Sequence, residues 1–183
     1  MVVVDPGERA EDEHDLARRA RRGDTGAFDQ LVLRFQRPVY RCCRRMLASR
    51  DAEDVAQETF IRAFVHFDRF DLNRPLLPWL IAIARRLCLD RLRKTKLIAR
   101  AENVPVPAQP IPSPERQASL GEQMRRLEHA LATLAEGPRE AILLFHVEGL
   151  SYRDVAAALE APIGTVMTWL HRGRAELKRF TEA

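Results

Sequence analysis

Four side chains within eight positions of this chain have the hydrogen-bonding groups that read DNA bases. Thr165, Thr168, His171 and Arg172 supply hydroxyl, imidazole and guanidinium groups. At about 100° per residue of helix, the last three lie on the arc opposite the apolar residues of the same segment. Those apolar-arc residues are Val166, Leu170, Gly173 and Leu177. A helix of this kind packs through one arc and can enter a major groove with the other.

The residues before this helix predict how it is positioned. Ser151 is placed to cap a short helix, with Asp154 three residues later as its reciprocal partner. Pro162 and Gly164 then interrupt the helical pattern, and Thr165 is placed to cap the next helix. The pattern is that of a helix-turn-helix. Because this motif also occurs as a packing corner in helical proteins, DNA binding needs support from other parts of the chain.

A second candidate surface for nucleic acid lies on the helix predicted between residues 74 and 96. Arg85, Arg86, Arg93 and Lys96 share the arc opposite its apolar side chains, and Asp90 alone offsets the cations of this stretch. Closely spaced cations repel one another. A phosphate backbone would relieve that repulsion and release counterions, so this arc is predicted to hold phosphates.

Trp79 stands at the head of the same helix, next to a polar loop that contains Asn73 and Arg74. Two interpretations of this ring stay open: a core aromatic residue, or a ring at the edge of the core that stacks on an unpaired base. In the second case the loop and the ring would together hold a single strand.

An acidic cluster opens the helix predicted from Asp51 to Phe67. Asp54, Gln57 and Glu58 lie in its first turns, where a carboxylate suits the helix dipole at less than about 1 kcal/mol. The alternative interpretation is a docking site for a basic protein surface. In a chain with basic faces elsewhere, an acidic patch points toward protein rather than nucleic acid.

The chain is predicted to be helical along most of its length. Strand alternation is absent from the 183 residues, and breaks are predicted at Gly23, at Pro38, at residues 49–51 and at residues 71–78. Five prolines between residues 105 and 114 forbid helix there. We therefore predict an all-α protein of two small helical domains joined by a Pro-rich extended linker. Its segments are a flexible N-terminal tail (1–14), a first domain (15–98), the linker (99–116) and a second domain with the helix-turn-helix (117–183).

Composition argues against several classes of function. The net charge is only +4, from 30 basic and 26 acidic residues, so local basic faces matter more than the total. A Gly-rich phosphate loop is absent and the five histidines have no matched nucleophile, which argues against an enzyme. Cys42, Cys43 and Cys88 lack metal-ligand spacing and are expected to be reduced, buried thiols, with no metal or cofactor. Without an apolar run of about 18 residues or a basic leader, we expect a cytoplasmic protein with no membrane insertion.

Four segments carry a resemblance to a known family. They are AEDVAQETF (52–60), the helix from Trp79 to Arg93, LAEGPREAI (134–142) and GLSYRDVAAALEAPIGTVMTWLHRGRAEL (149–177). In this order and spacing they resemble the extracytoplasmic-function sigma factors of bacteria. The resemblance implies a dissociable RNA polymerase subunit that recognises promoter DNA and promotes strand opening. Sigma region 2 would span residues 15–98 and sigma region 4 residues 117–183.

By the same resemblance, the residues of three surfaces have expected roles. Core RNA polymerase would be bound by Asp54, Gln57 and Glu58. The minus-ten promoter element would be held by Asn73, Arg74, Trp79, Arg85, Arg86 and Arg93. The minus-thirty-five element would be read by Thr165, Thr168, His171 and Arg172. Duplex and single-stranded promoter DNA are thus both expected partners, and an anti-sigma factor is a further one.

The chain departs from the family pattern at Met167 and Trp169, where basic residues are usual. Two expected contacts to the minus-thirty-five element are therefore missing. A second hypothesis for the whole chain is a stand-alone helix-turn-helix regulator, but it leaves the acidic helix without a purpose. Binding to core polymerase in the absence of DNA would distinguish a sigma factor from such a regulator.

Overall fold

The computed structural model describes residues 6–101 and 122–181, and the chain divides into two compact units, residues 1–109 and 110–183. Each regular element within those described residues is a helix, which confirms the prediction of an all-α fold. The predicted Pro-rich linker lies outside the described residues, except for its first three positions, which are helical. No helix of the described ranges is both long and apolar enough to cross a membrane.

The first unit is built from helices that share one apolar core. They are α1 (Pro6–Arg21), α2 (Thr25–Met46), α3 (Ser49–Val65), a short 3-10 turn (Phe67–Arg69) and α4 (Leu76–Ala101). Apolar residues recur every three or four positions along α2, so one face of this helix is buried. That face consists of Ala27, Phe28, Leu31, Phe35, Val39, Cys42, Cys43 and Met46. Cys88 of α4 is buried too, and none of the three cysteines, which all lie within the described residues, forms a disulfide, as predicted.

Helix α1 includes residues 6–14, for which the sequence predicts a flexible tail. Pro6 occupies the first helical position, where its missing N–H group is tolerated. The Glu13 carboxylate accepts a hydrogen bond from the backbone N–H of Leu76 at 2.7 Å, at the start of α4. The Arg21 side chain donates to the carbonyl of Phe70 at 3.3 Å. Residues 6–14 are thus helical, and Glu13 joins them to a position far away in the sequence, while the flexibility of residues 1–14 stays a prediction.

Helix α2 continues through Pro38, where the sequence predicts a break. Proline removes one backbone donor and crowds the preceding turn, at a cost of about 3 kcal/mol in a helix interior. Phe35 and Val39, on either side of the proline, are both buried. Burial of one such side chain contributes about 1.5–3 kcal/mol. Tertiary packing therefore holds the helix together across the proline.

The break predicted at Gly23 is confirmed, and Asp24 fixes the start of α2. Gly23 has a φ of +93°, in the left-handed region that glycine adopts without strain. Asp24 caps α2 by accepting a hydrogen bond from the N–H of Ala27 at 3.0 Å, and Arg19 donates two hydrogen bonds to its other oxygen. The bond from Ala27 and the Arg19 guanidinium hold the pKa of Asp24 below its usual value.

The second unit contains the predicted helix-turn-helix. Its helices are α5 (Glu122–Thr133), α6 (Glu136–His146), α7 (Tyr152–Leu159) and α8 (Ile163–Thr181). Ser151 caps α7 as predicted: its hydroxyl accepts from the N–H of Asp154 at 3.3 Å and donates to the Asp154 carboxylate at 2.7 Å. Glu160 ends α7 with a φ of 51°, and this left-handed residue turns the chain toward α8.

Thr165 does not cap α8, contrary to the sequence prediction. The helix begins two residues earlier, at Ile163. The N–H groups of Thr165 and Val166 donate to the carbonyl of Pro162 at 2.9 and 3.1 Å. Thr165 is thus a residue of the first turn, because the backbone of the proline, rather than a threonine hydroxyl, accepts these N–H groups.

Candidate functional site

The outer face of α8 presents three of the four side chains predicted to read bases. Thr168, His171 and Arg172 are exposed, whereas Val166 and Leu170 are buried, so the predicted arcs are confirmed. Thr165 is only half-buried and lies between the two arcs. The Thr168 hydroxyl donates to the carbonyl of Gly164 at 2.9 Å, which fixes its rotamer on the helix surface.

Close packing against α6 holds α8 in place. A Cβ atom on Gly137 would lie 2.7 Å from a ring carbon of Trp169, so only glycine allows the indole this close. A Cβ atom on Gly173 would lie 2.9 Å from the side chain of Ile142. Trp169 is half-buried and belongs to the packing of this unit. Its departure from the family pattern is therefore explained by packing, whereas Met167 is exposed on the outer face.

A cation that sequence analysis did not single out also fixes α8. The Arg174 Nε donates to Nε2 of His146 at 3.2 Å, and its guanidinium carbon lies 5.2 Å from the centre of the Phe145 ring. Phe145 in turn stacks on Tyr152, with ring centres 4.9 Å apart. This cluster joins α6, α7 and α8. The sequence gives no signal of this cluster because its residues come from three separate helices.

The polar loop of the first unit is organised by an aspartate that sequence analysis did not single out. The backbone N–H and the side-chain amide of Asn73 both donate to Oδ1 of Asp71, at 3.0 and 3.2 Å. The N–H of Arg74 donates to the Asp71 carbonyl at 3.0 Å. Asn73 and Arg74 remain exposed. The spacing of Asp and Asn two residues apart is the signal of such a turn.

Trp79 packs at the edge of an aromatic cluster. Its ring centre lies 5.2 Å from that of Phe70 and 6.0 Å from that of Phe67. Phe67 continues the cluster to Phe28, with centres 5.5 Å apart. Trp79 is half-buried against the core rather than enclosed in it, a position that fits both interpretations. Stacking on a base stays a prediction.

The cations of α4 are less isolated than the sequence predicts. Arg86 and Arg93 are exposed and Arg85 is half-buried. Arg93 donates to Asp90 at 3.1 Å, as the sequence allowed. Arg91, however, lies 3.5 Å from Asp51 and 4.0 Å from Asp54, two carboxylates of α3. The prediction that Asp90 alone offsets these cations is wrong, because it treated α3 and α4 as separate surfaces. Ion pairs between α3 and α4 are therefore formed by Asp51, Asp54 and Arg91.

Helix α3 presents the predicted acidic patch along a solvent-facing side. Asp54 and Gln57 are exposed, and Glu58 is paired with Arg62 at 2.7 Å, one helical turn later. Gln57 also borders an apolar groove between α2 and α3 with a volume of about 520 Å³. Its lining residues are Val32, Gln36, Arg37, Tyr40, Glu53, Ala56, Gln57, Phe60 and Ile61. Sequence analysis missed this groove because it forms only where two helices meet.

Comparison with protein families gives two matches, one in each unit. The family described as Sigma-70 region 2 matches residues 31–98, and that described as Sigma-70, region 4 matches residues 124–177. Their order agrees with the order of the four segments in the sequence.

Relatives match over most of the chain. It is 34% identical to the ECF RNA polymerase sigma factor SigW of Bacillus subtilis, over 88% of this chain and 92% of the relative. It is 33% identical to the RNA polymerase sigma-H factor of Pseudomonas aeruginosa, over 90% of this chain and 91% of the relative.

Two solved structures are similar as well. CnrH in complex with the cytosolic domain of CnrY has a TM-score of 0.67 at 29% identity, covering 93% of this chain and 97% of that chain. The sigma factor RpoE in complex with the anti-sigma factor NepR from Bartonella quintana has a TM-score of 0.69 at 28% identity, covering 85% and 97%.

Proposed function

Because this chain belongs to the extracytoplasmic-function sigma factors of the sigma-70 family, we propose that its two units divide promoter recognition between them. As an alternative sigma factor it acts in transcription initiation, with core RNA polymerase and promoter DNA as partners. The hypothesis of a stand-alone regulator has no support, since the region 2 match accounts for the N-terminal unit. We assign region 2 to residues 15–98 together with α1, region 4 to residues 117–183, and the site of action to the cytoplasm.

Helix α3 is the proposed docking surface for core polymerase. Asp54 and Glu58 are one turn apart, and Gln57 lies beside them. Their only ion pairs among the described residues are with Arg91 at 4.0 Å and Arg62 at 2.7 Å, across partly exposed surface. Pairs of this kind contribute about 0–1 kcal/mol, so the carboxylates can exchange them for a basic partner surface at little cost.

The loop before α4 is the proposed site for the minus-ten element. Asn73 and Arg74 are exposed on a loop that Asp71 holds in shape, and Trp79 lies at the head of the next helix. Unstacking a base costs a few kcal/mol, and a stacking surface returns about 1–3 kcal/mol for each base held. Strand opening therefore follows from preferential binding of the single strand. Phosphates would be held by Arg85, Arg86 and Arg93.

Helix α8 is the proposed reader of the minus-thirty-five element. His171 and Arg172 are exposed one turn beyond Met167 and Thr168, and an arginine at such a position can bind a guanine edge or a phosphate. Thr165 is half-buried near the start of the helix, where its backbone N–H is already used. We therefore assign Thr165 a smaller share of the contacts than Thr168, His171 and Arg172.

The groove between α2 and α3 is the proposed seat of an anti-sigma factor. The similar structures CnrH and RpoE were solved with CnrY and NepR, respectively. An amphipathic helix fits an apolar groove by placing residues of one face into it. The groove is lined by Tyr40, Phe60 and Ile61, and Gln57 belongs both to it and to the docking surface. Occupation of the groove would therefore compete with core polymerase.

We assign the loop of Asn73 and Arg74 to binding of the single strand because it is exposed and yet held in a fixed turn. Permanganate footprinting of unpaired thymines tests it, with polymerase that contains Asn73→Ala and Arg74→Ala together. We expect weaker opening at unchanged binding to duplex promoter. Gln30→Ala with Arg18→Ala, two exposed positions on α2 and α1, is the matched control. Full opening by the loop variant would leave the basic helix as a nonspecific phosphate clamp.

A further inference from the structure

The first two turns of α8 carry apolar side chains on their outer face. The side chain of Met167 is 56% exposed, and that of Ile163 is 45% exposed. No residue from 163 to 170 is charged. Packing near Gly137 explains why an apolar residue occupies position 169. It does not explain the apolar residue at position 167, because Met167 is exposed.

These residues lie within the face already assigned to DNA. Ile163, Met167 and His171 follow one another at intervals of four residues and therefore form one row along the helix. Gly164, Thr168 and Arg172 form the adjacent row of the outer face. A Cβ atom on Gly164 would meet nothing within 4 Å, so the helix surface is open there. The face is thus apolar at its N-terminal end and cationic one turn later.

The N-terminal residues of a recognition helix contact base edges in the major groove. Among those edges the apolar feature is the C5-methyl group of thymine. We propose that Met167, supported by Ile163, reads a thymine methyl group in the minus-thirty-five element. This inference rests on the proposed role of α8. The occupant is DNA rather than a protein because His171 and Arg172 on the same face complement the phosphates that border a major groove.

A methionine is suited to this contact. Its unbranched, polarizable side chain adapts to an irregular apolar surface. A lysine or arginine at the same position would instead bind phosphates or guanine. The departure from the family pattern at this position therefore changes which base feature is read, from a hydrogen-bond acceptor to a methyl group.

The experiment uses core RNA polymerase bound to the full chain. A promoter is first selected from a library that is randomised upstream, and the selected DNA is then made with deoxyuridine in place of thymidine in its upstream element. Competition binding compares the two DNAs. Loss of a buried methyl contact should weaken binding about fourfold. The Met167→Ala variant should bind the two DNAs equally, and Met167→Leu should retain the preference for thymine.

Val147→Ala is the matched control, because Val147 is 57% exposed but lies outside α8. It should keep the full preference for thymine. Equal binding of both DNAs by the parent protein would overturn the inference while leaving the role of α8 intact. A thymine preference that persists in Met167→Ala, or a selected element that contains no A·T pair, would also overturn it. If no upstream sequence is selected, the proposed role of α8 fails and this inference fails with it.

Discussion

Reversing Asp54 and Glu58 together to lysine tests the docking surface of α3. In the folded chain, Glu58 pairs with Arg62 at 2.7 Å and Asp54 lies 4.0 Å from Arg91. Pairs at such exposure contribute about 0.3–0.5 kcal/mol each, and like charges in their place cost a similar amount. The double reversal should therefore lower the free energy of unfolding by about 1–2 kcal/mol. A domain stable by about 5–15 kcal/mol stays folded after this loss.

The double reversal should weaken binding to core polymerase more than it weakens folding. Each reversal removes an attraction to a basic partner and introduces a repulsion, and like charges across an interface cost several kcal/mol. We expect a loss of about 2–4 kcal/mol for the pair, which corresponds to a Kd about 30- to 1,000-fold higher for core polymerase. Because exposed charges are screened by salt, the loss should shrink as ionic strength rises.

The assay is equilibrium binding of the fluorescently labelled chain to core RNA polymerase without DNA, at two salt concentrations. The control is the double variant Asp29→Lys and Asp68→Lys, which changes the net charge equally at exposed positions on α2 and the 3-10 turn. It should bind nearly as well as the parent. Equal weakening of both variants would mean that total charge governs binding, and unchanged affinity of the α3 variant would refute the docking assignment.

Three further predictions concern the second unit. Arg172→Ala should reduce discrimination against a wrong base pair in the upstream element by about 1–3 kcal/mol, measured by competition binding with single-pair variants; equal discrimination by variant and parent would exclude a base contact. Gly137→Ala should destabilise the unit by about 1–3 kcal/mol in denaturant unfolding, since the new methyl would lie 2.7 Å from the ring of Trp169. Glu160→Val should be about 1 kcal/mol less stable than Glu160→Asn, because a β-branched residue is strained at a φ of 51°; equal melting temperatures would contradict this.

Features that depend on one helix could be predicted from the sequence. The buried arc of α8 follows from a period of 3.6 residues, and the cap at Ser151 follows from Asp154 three residues later. The exposed positions of Asp54 and Arg172 follow from the same periodicity. In each case the determining residues lie within about two turns of one another, so their spacing in the chain carries the information.

Features that depend on contacts between helices could not be predicted in this way. The carboxylate of Glu13 meets the start of α4 across 63 positions of sequence, and Glu13 lies in the segment predicted to be a tail. Arg91 is drawn toward Asp51 because α3 packs on α4. The continuity of α2 through Pro38 likewise depends on burial on both sides of it. Each of these features is set by contacts between helices, which local propensity does not describe.

Met167 and Trp169 can be interpreted only when spacing within one helix is combined with contacts between helices. Both are apolar where the family is usually basic, and by sequence alone they count as two lost DNA contacts. Residues two positions apart on a helix are separated by about 200°, so they cannot share a face. The structure packs Trp169 near Gly137 and leaves Met167 exposed beside Thr168. Trp169 therefore concerns the stability of the helix-turn-helix, and Met167 concerns the base that it reads. A change at position 169 should be detected by unfolding, and a change at position 167 by DNA binding.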